Sequence, residues 1–209
     1  MPGTKGEATR ERILGAAMEL INRKSFHLTS INEILAAGDI KKGNLYFHFA
    51  GKEDLGLALV AKAKADYLAY LAASLKSCTP LGQLGYILMD VYKLHSHRRC
   101  MGGCIFGNIA LEMSDDNPLF AAAIREIFDE WNGLLSRLLT QARADGELDP
   151  AVQPEATARH IVASLEGAIM MARLTKQENE ILNCIQPLRN MPGIPSQARA
   201  RAKTMERAL

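Results

Sequence analysis

The 209-residue sequence is short of several things, and each shortage excludes a class of protein. No apolar run approaches the about 18 residues that a membrane helix needs. The best stretch, 161–172, is cut by Glu166, so no membrane partner is expected. The opening Met1-Pro-Gly-Thr-Lys-Gly-Glu7 lacks the apolar core of a secretory signal, and a cytoplasmic location is expected. Four cysteines (Cys78, Cys100, Cys104 and Cys184) are too few for a disulfide scaffold and are expected as reduced thiols. Alternating strand patterns rich in Val, Ile and Thr are missing. So are a glycine-rich phosphate loop, a paired-carboxylate motif and a recognised nucleophile signature; neither an enzyme nor a cofactor is expected.

What is present is ordinary globular composition, 48% apolar and 23% charged, with an uneven charge. Residues 1–52 carry eight Lys/Arg against five Asp/Glu, whereas 112–180 carry six against thirteen. The last 29 residues are basic again. A basic front and an acidic middle suit a polyanion meeting the front alone.

Apolar residues recur at i, i+3, i+4, which predicts an all-α fold. The first helix is expected over 9–23. Ser30-Ile-Asn-Glu33 fits a capping box and opens a second, short helix ending at Gly38-Asp39. A third spans 42–47, and a long one starts at Lys52 and runs to about 76. Further helices are expected over 84–97, 105–113, 118–144, 154–173 and 176–189, with Pro118 in a first turn and breaks at Gly102-Gly103 and Gly146. The predicted organisation is a head over 1–52, a helical body over 53–192 and a basic tail over 193–209.

Two short helices joined by a tight turn and propped by a preceding one follow helix-turn-helix logic. In the second of the pair, Lys41-Lys-Gly-Asn-Leu-Tyr-Phe-His-Phe49, Leu45 faces inward and Phe49 closes the end. Lys41, Lys42, Asn44, Tyr46 and His48 stay outside. Cations, an amide, a phenol and an imidazole at one helix suit phosphates and base edges. Gly43 lets the backbone approach a duplex, and Lys52 sits at a helix start that favours an anion.

From Ala8 to about Leu59 the chain resembles the tetracycline-repressor-like (TetR) transcriptional regulators. The resemblance rests on Arg12-Ile13, Ala16-Ala17, Phe26, Thr29-Ser30-Ile31, Ile34, Lys42-Gly43, Leu45-Tyr46, His48-Phe49, Lys52-Glu53 and Leu55. It implies a three-helix DNA-binding head, a helical ligand-binding body and a homodimer that usually represses. It also implies that Lys42, Gly43, Asn44, Tyr46 and His48 enter the major groove, with Thr29 and Lys52 as phosphate anchors. Three residues depart from the family pattern: Ser25 and Asp39 where glycine is usual, and Lys41 where serine is common. In the body, Gly103-Cys104-Ile-Phe-Gly107-Asn108 with Leu111-Glu112, and Leu165-Glu166-Gly167-Ala168, resemble the signature of a subgroup.

The helix from Pro118 carries a wide apolar band including Phe120, Ile124, Leu134 and Leu138, and that from Pro154 carries the small residues Ala156, Ala163, Gly167 and Ala168. Both are expected to pack against their copies in a dimer, or else to form an internal seam. Tyr92, His95, Met101, Cys104, Phe106, Phe128, Trp131, Met170 and Met171 are candidates to line a small-molecule effector site, or plain core. Trp131 and Phe106 would set its shape.

His95-x-His97-x-x-Cys100-x-x-x-Cys104 has zinc-ligand residue types without a standard spacing, and no metal is expected. Arg98 and Arg99 beside Cys100 favour a thiolate, so thiol sensing through Cys100 and Cys104 is an alternative to an effector. A thiol enzyme pairing either cysteine with His95 or His97, and a helical adaptor, are weaker rivals. The leading expectation is a regulator bound to a double-stranded DNA operator and released when an effector shifts the body's conformation.

Overall fold

Side-chain caps, as well as hydrophobic periodicity, set where several of the helices begin. The computed structural model describes residues 4–74 and 79–189. Among these, nine helices and no strand are found: α1 (Lys5–Lys24), α2 (Ile31–Ala37), α3 (Lys42–His48), α4 (Lys52–Ser74), α5 (Pro80–His97), α6 (Ile105–Met113), α7 (Pro118–Ala144), α8 (Pro154–Thr175) and α9 (Asn179–Arg189). The protein is all-α, as its spacing predicts. No helix of the described residues is long and apolar enough to cross a membrane. The expected tail, 193–209, lies outside the described residues, as does Cys78.

α1 begins four residues before its expected start. Thr4 accepts from the Glu7 N–H at 3.2 Å while the Glu7 carboxylate takes the Thr4 N–H at 2.5 Å, a reciprocal capping box. α5 likewise begins at Pro80, because the Thr79 hydroxyl accepts from the Gly82 N–H at 3.1 Å and proline fits a first turn. α9 starts later than expected: Lys176 adopts a left-handed conformation (φ 60°) that stops α8. The Ser30–Glu33 capping box of α2 is formed as the sequence indicates.

The chain divides into two compact units, and the division does not fall at 52/53. The first unit takes the chain up to 67 together with 104–127; the second takes 68–103 and the chain from 128. In the first, Ile13, Leu14 and Ala17 of α1, Ile34 of α2, Leu45 of α3 and Leu55 and Leu59 of α4 form the sealed interior of the head. Phe120 of α7 and Ile109 of α6 are buried too, and Phe120 meets Phe26 with ring centroids 5.1 Å apart. These contacts explain why 104–127 belongs with the head. In the second unit, Leu84, Ile87 and Leu88 of α5, Leu135 and Leu139 of α7, Ile161 and Leu165 of α8 and Ile181 of α9 supply the core.

Both substituted glycine positions keep a glycine-like backbone. Ser25, which ends α1, has φ 97° and ψ 162°, and Asp39 has φ 47° in the turn before α3. A side chain at Ser25's conformation costs roughly 1–3 kcal/mol. Its hydroxyl recovers only a long 3.4 Å bond from the Leu28 N–H. Ser25→Gly is therefore expected to stabilise the protein by about 1 kcal/mol, net of glycine's greater freedom when unfolded. Urea denaturation at fixed protein concentration measures it, and an unchanged or lowered midpoint contradicts the strain.

Candidate nucleic-acid interface

α3 is amphipathic in the simplest way: two residues four apart hold it and the rest face out. Leu45 and Phe49 are buried, with the Arg10 guanidinium 5.3 Å from the Phe49 ring centroid. Lys41, Lys42, Gly43, Asn44 and Tyr46 are exposed, and His48 is half-buried. The Lys42 ammonium lies 5.9 Å from the Tyr46 ring centroid, so a cation and a phenol share one patch. Lys41 occupies the N-cap without a side-chain bond, so the cap that serine would give is absent and its charge is free to face solvent. A Cβ added at Gly43 would meet no protein atom within 4 Å. Internal packing therefore does not require glycine there.

Phe47 is the residue that reading by composition overlooks. It is 82% exposed, the largest apolar exposure on α3, and its ring lies 5.0 Å from that of His48. The register carries the signal: with Leu45 and Phe49 inward, position 47 points away from the core.

The two outlying anchors behave differently. Thr29 is fully buried and its hydroxyl donates to the Ser25 carbonyl at 2.7 Å. It braces the α1–α2 turn, and its side chain does not reach the surface where a phosphate anchor was expected. Lys52 donates to the His27 carbonyl at 3.1 Å and stands 4.8 Å from the Phe26 ring centroid. Partial burial lowers its pKa, against the raising influence of the Glu112 and Glu33 charges.

The effector candidates fall in both units. Cys104 and Phe106 belong to the first. Cys104 is half-buried at the N-cap of α6, and Phe106 is buried edge-on to Tyr67 at 6.0 Å. Tyr92, His95, Phe128, Trp131 and Met170 belong to the second. There Trp131 is buried and stacks on the half-buried Phe128, centroids 6.3 Å apart. Tyr92 is half-buried, and burial raises its pKa.

Met170 does not line an interior. It is 59% exposed, because Leu165, Ala168, Ile169 and Ala172 take the buried face of α8 and residue 170 turns outward. Met101 and Met171 are exposed as well.

The thiol expectation needs correction too. Cys100 is buried, and its pKa is raised, first by burial and then by the Glu178 charge. Arg98 and Arg99 point to solvent and do not acidify it. Cys184 is also raised by burial. Among the described residues no three His, Cys, Asp or Glu side chains gather as a metal-binding group.

His95 is 5% exposed, its Nδ1 has no hydrogen-bond partner, and burial followed by the Arg98 charge lowers its pKa from 6.5 to about 4. It is neutral when folded. Between pH 6.5 and about 4 the unfolded chain binds a proton that the folded chain refuses, so stability falls as pH drops through that window. The loss reaches about 3 kcal/mol at its acid end and is absent above pH 6.5. Urea denaturation across pH measures this, and His95→Phe is expected to flatten it.

Comparison with known proteins agrees with this geometry. Residues 13–59 match the family described as bacterial regulatory proteins, tetR family, and residues 80–186 match the tetracyclin repressor-like C-terminal domain. The transcriptional regulator AcuR of Cereibacter sphaeroides is 31% identical over 170 residues, which span 78% of this chain and 76% of that one. A crystal structure of a TetR transcriptional regulator from Chloroflexus aurantiacus superposes with a TM-score of 0.80 at 30% identity, covering 88% of this chain and 93% of that one. The transcriptional repressor NemR of Escherichia coli is 23% identical over 90% of this chain and 96% of its own. Its structure in a reduced form gives a TM-score of 0.79. With a reading helix on a three-helix head and both halves matched, this chain belongs to the TetR family: it is a DNA-binding transcriptional regulator and not an enzyme.

Proposed function

We propose that the protein is a homodimeric repressor that grips a palindromic operator with two copies of α3 and lets go when a small molecule binds its body. The observation that carries this reading is the solvent face of α3, where Lys41, Lys42, Gly43, Asn44, Tyr46 and Phe47 are all exposed beside a sealed Leu45–Phe49 anchor. Tyr46, Asn44 and the Phe47 ring suit base edges and thymine methyls; Lys41 and Lys42 suit phosphates. Gly43 leaves the backbone open to the duplex. His48 borders the patch, and Lys52 keeps donors beyond the one given to His27.

Dimerisation has its own support. One face of α8 leaves Ala156, Ala163, Met170, Met171 and Leu174 exposed and Gly167 half-buried, an apolar strip with small residues that allow close approach. In the same unit Leu134 and Leu138 of α7 are half-buried. A partner copy on this surface would bury the methionines and place two reading helices about 34–36 Å apart, one turn of duplex. The effector would bind a body conformation that spaces the heads wrongly. Tyr92, His95 and Trp131 are the residues assigned to its recognition.

The test is a band-shift titration on the DNA flanking the coding region at several salt concentrations. Specific binding that weakens steeply with salt is expected. Binding no tighter than to random DNA at every salt sinks the reading.

A second reading is favoured by one observation. Cys104, unlike Cys100, is half-buried at the N-cap of α6, within reach of a reagent. Thiol sensing would then run through Cys104 alone. Iodoacetamide is expected to label Cys104 well before Cys100, and mass mapping of the labelled chain decides it.

A further inference from the structure

Glu112 lies 85 and 86 residues from the turn it touches. Its carboxylate accepts the Phe26 N–H at 2.8 Å through one oxygen and the His27 N–H at 2.5 Å through the other. These two amides follow Ser25, the C-cap of α1, and have no helical acceptor of their own. One turn earlier on the same face of α6, the Asn108 side-chain N–H donates to the side-chain Oδ1 of Asn22 on α1 at 3.1 Å, and Asn22 is buried. Residues 108 and 112 are four apart, so α6 presents a polar edge whose two side chains both fasten α1 and its turn.

The far side of the turn is held as well. Lys52 donates to the His27 carbonyl and stands over Phe26, and the Phe26 ring also meets Phe120. His27 is thus gripped at its N–H by Glu112 and at its C=O by Lys52. Its Nε2 lies 3.9 Å from the Asp116 carboxylate. The turn leads into α2, which α3 follows, so whatever orients it orients the helix-turn-helix pair. α6, in turn, begins right after Gly102-Gly103, both at positive φ (80° and 69°).

We propose that Glu112 is a positioning residue that locks the orientation of the reading head to α6. A carboxylate receiving two backbone donors makes charge-assisted bonds of fixed geometry. With it in place the head cannot swivel on the α1–α2 turn independently of α6. Any displacement of α6 is then passed to α3 undiminished, and a dimer presents its two reading helices at one spacing. Without it, the head samples a range of orientations. The inference rests on the DNA-binding reading above and adds a residue to it.

The experiment measures full-length wild type, Glu112→Gln and Glu112→Ala against a palindrome selected from a random pool, and against versions with one base pair added or removed at its centre. Each such change shifts the half-sites by about 3.4 Å and turns them by about 34°. Wild type is expected to prefer one spacing by about tenfold or more, Glu112→Ala by less than about threefold, and Glu112→Gln, which keeps one acceptor oxygen, to lie between. A general loss of folded protein would weaken binding to all three palindromes alike and leave the ratio unmoved.

Amide exchange gives a second readout that needs no variant. The Phe26 and His27 amides are expected to be protected in wild type. Rapid exchange at both, or a spacing preference in Glu112→Ala equal to that of wild type, overturns the proposal while leaving DNA binding intact. Wild type that binds no palindrome above random DNA overturns the DNA-binding reading and this one together.

Discussion

Lys42→Ala combined with Tyr46→Ala is expected to weaken operator binding by about 10³-fold or more, with the protein still folded. Both side chains are exposed on α3, neither seals the head, and alanine favours helix at either site. Each base contact is worth roughly 1–3 kcal/mol, and a dimer loses every contact twice. The two changes are also expected to act differently. If Lys42 neutralises phosphate as proposed, its loss flattens the salt dependence by about two charges per dimer. If Tyr46 reads base edges as proposed, its loss reduces discrimination between operator and random DNA without changing that slope. Fluorescence anisotropy over a salt series separates the two single variants. A double variant that still holds the operator at the wild-type affinity removes α3 from the interface.

How far the sequence carried the reading depended on how local each cause was. The bounds of α6 and α7 follow from signals beside them: Gly102-Gly103 before one and Pro118 after the Ser114–Asn117 break before the other. The α3 faces follow from Leu45 and Phe49 alone, and the same register would have found Phe47. The starts of α1 and α5 are not legible in the apolar pattern because they are set by Thr4 and Thr79 caps that lie outside it. Thr29, Met170 and Cys100 depart from the sequence expectation for a different reason. Whether a threonine hydroxyl faces inward, a methionine outward, or an arginine near a thiol, is decided by packing from distant segments. Glu112 is the extreme case: its position in a Leu-Glu pair was visible, but its hold on a turn 85 residues away was not.

Phe120→Ala is expected to cost about 3–5 kcal/mol, the largest single effect on stability foreseen here. The ring is fully buried in the first turn of α7, tilted 60° against Phe26, which is itself buried. Gly56 on α4 completes the contact, since a Cβ there would lie 2.7 Å from Phe120 Cζ and 2.5 Å from Phe26 Cε2. Both rings are thus wedged against bare backbone, and neither can shift to fill a void. Gly56→Ala alone is expected to cost about 1–3 kcal/mol by overpacking, although alanine is the better helix former. The decisive measurement is the double variant. If the two effects share one packed site, the added methyl occupies part of the space vacated by the ring, and Gly56→Ala with Phe120→Ala destabilises less than the sum of the singles. Urea denaturation at one fixed protein concentration gives all three values, a condition that matters for a chain proposed to dimerise. Strict additivity would mean that Gly56 is required by something other than these rings.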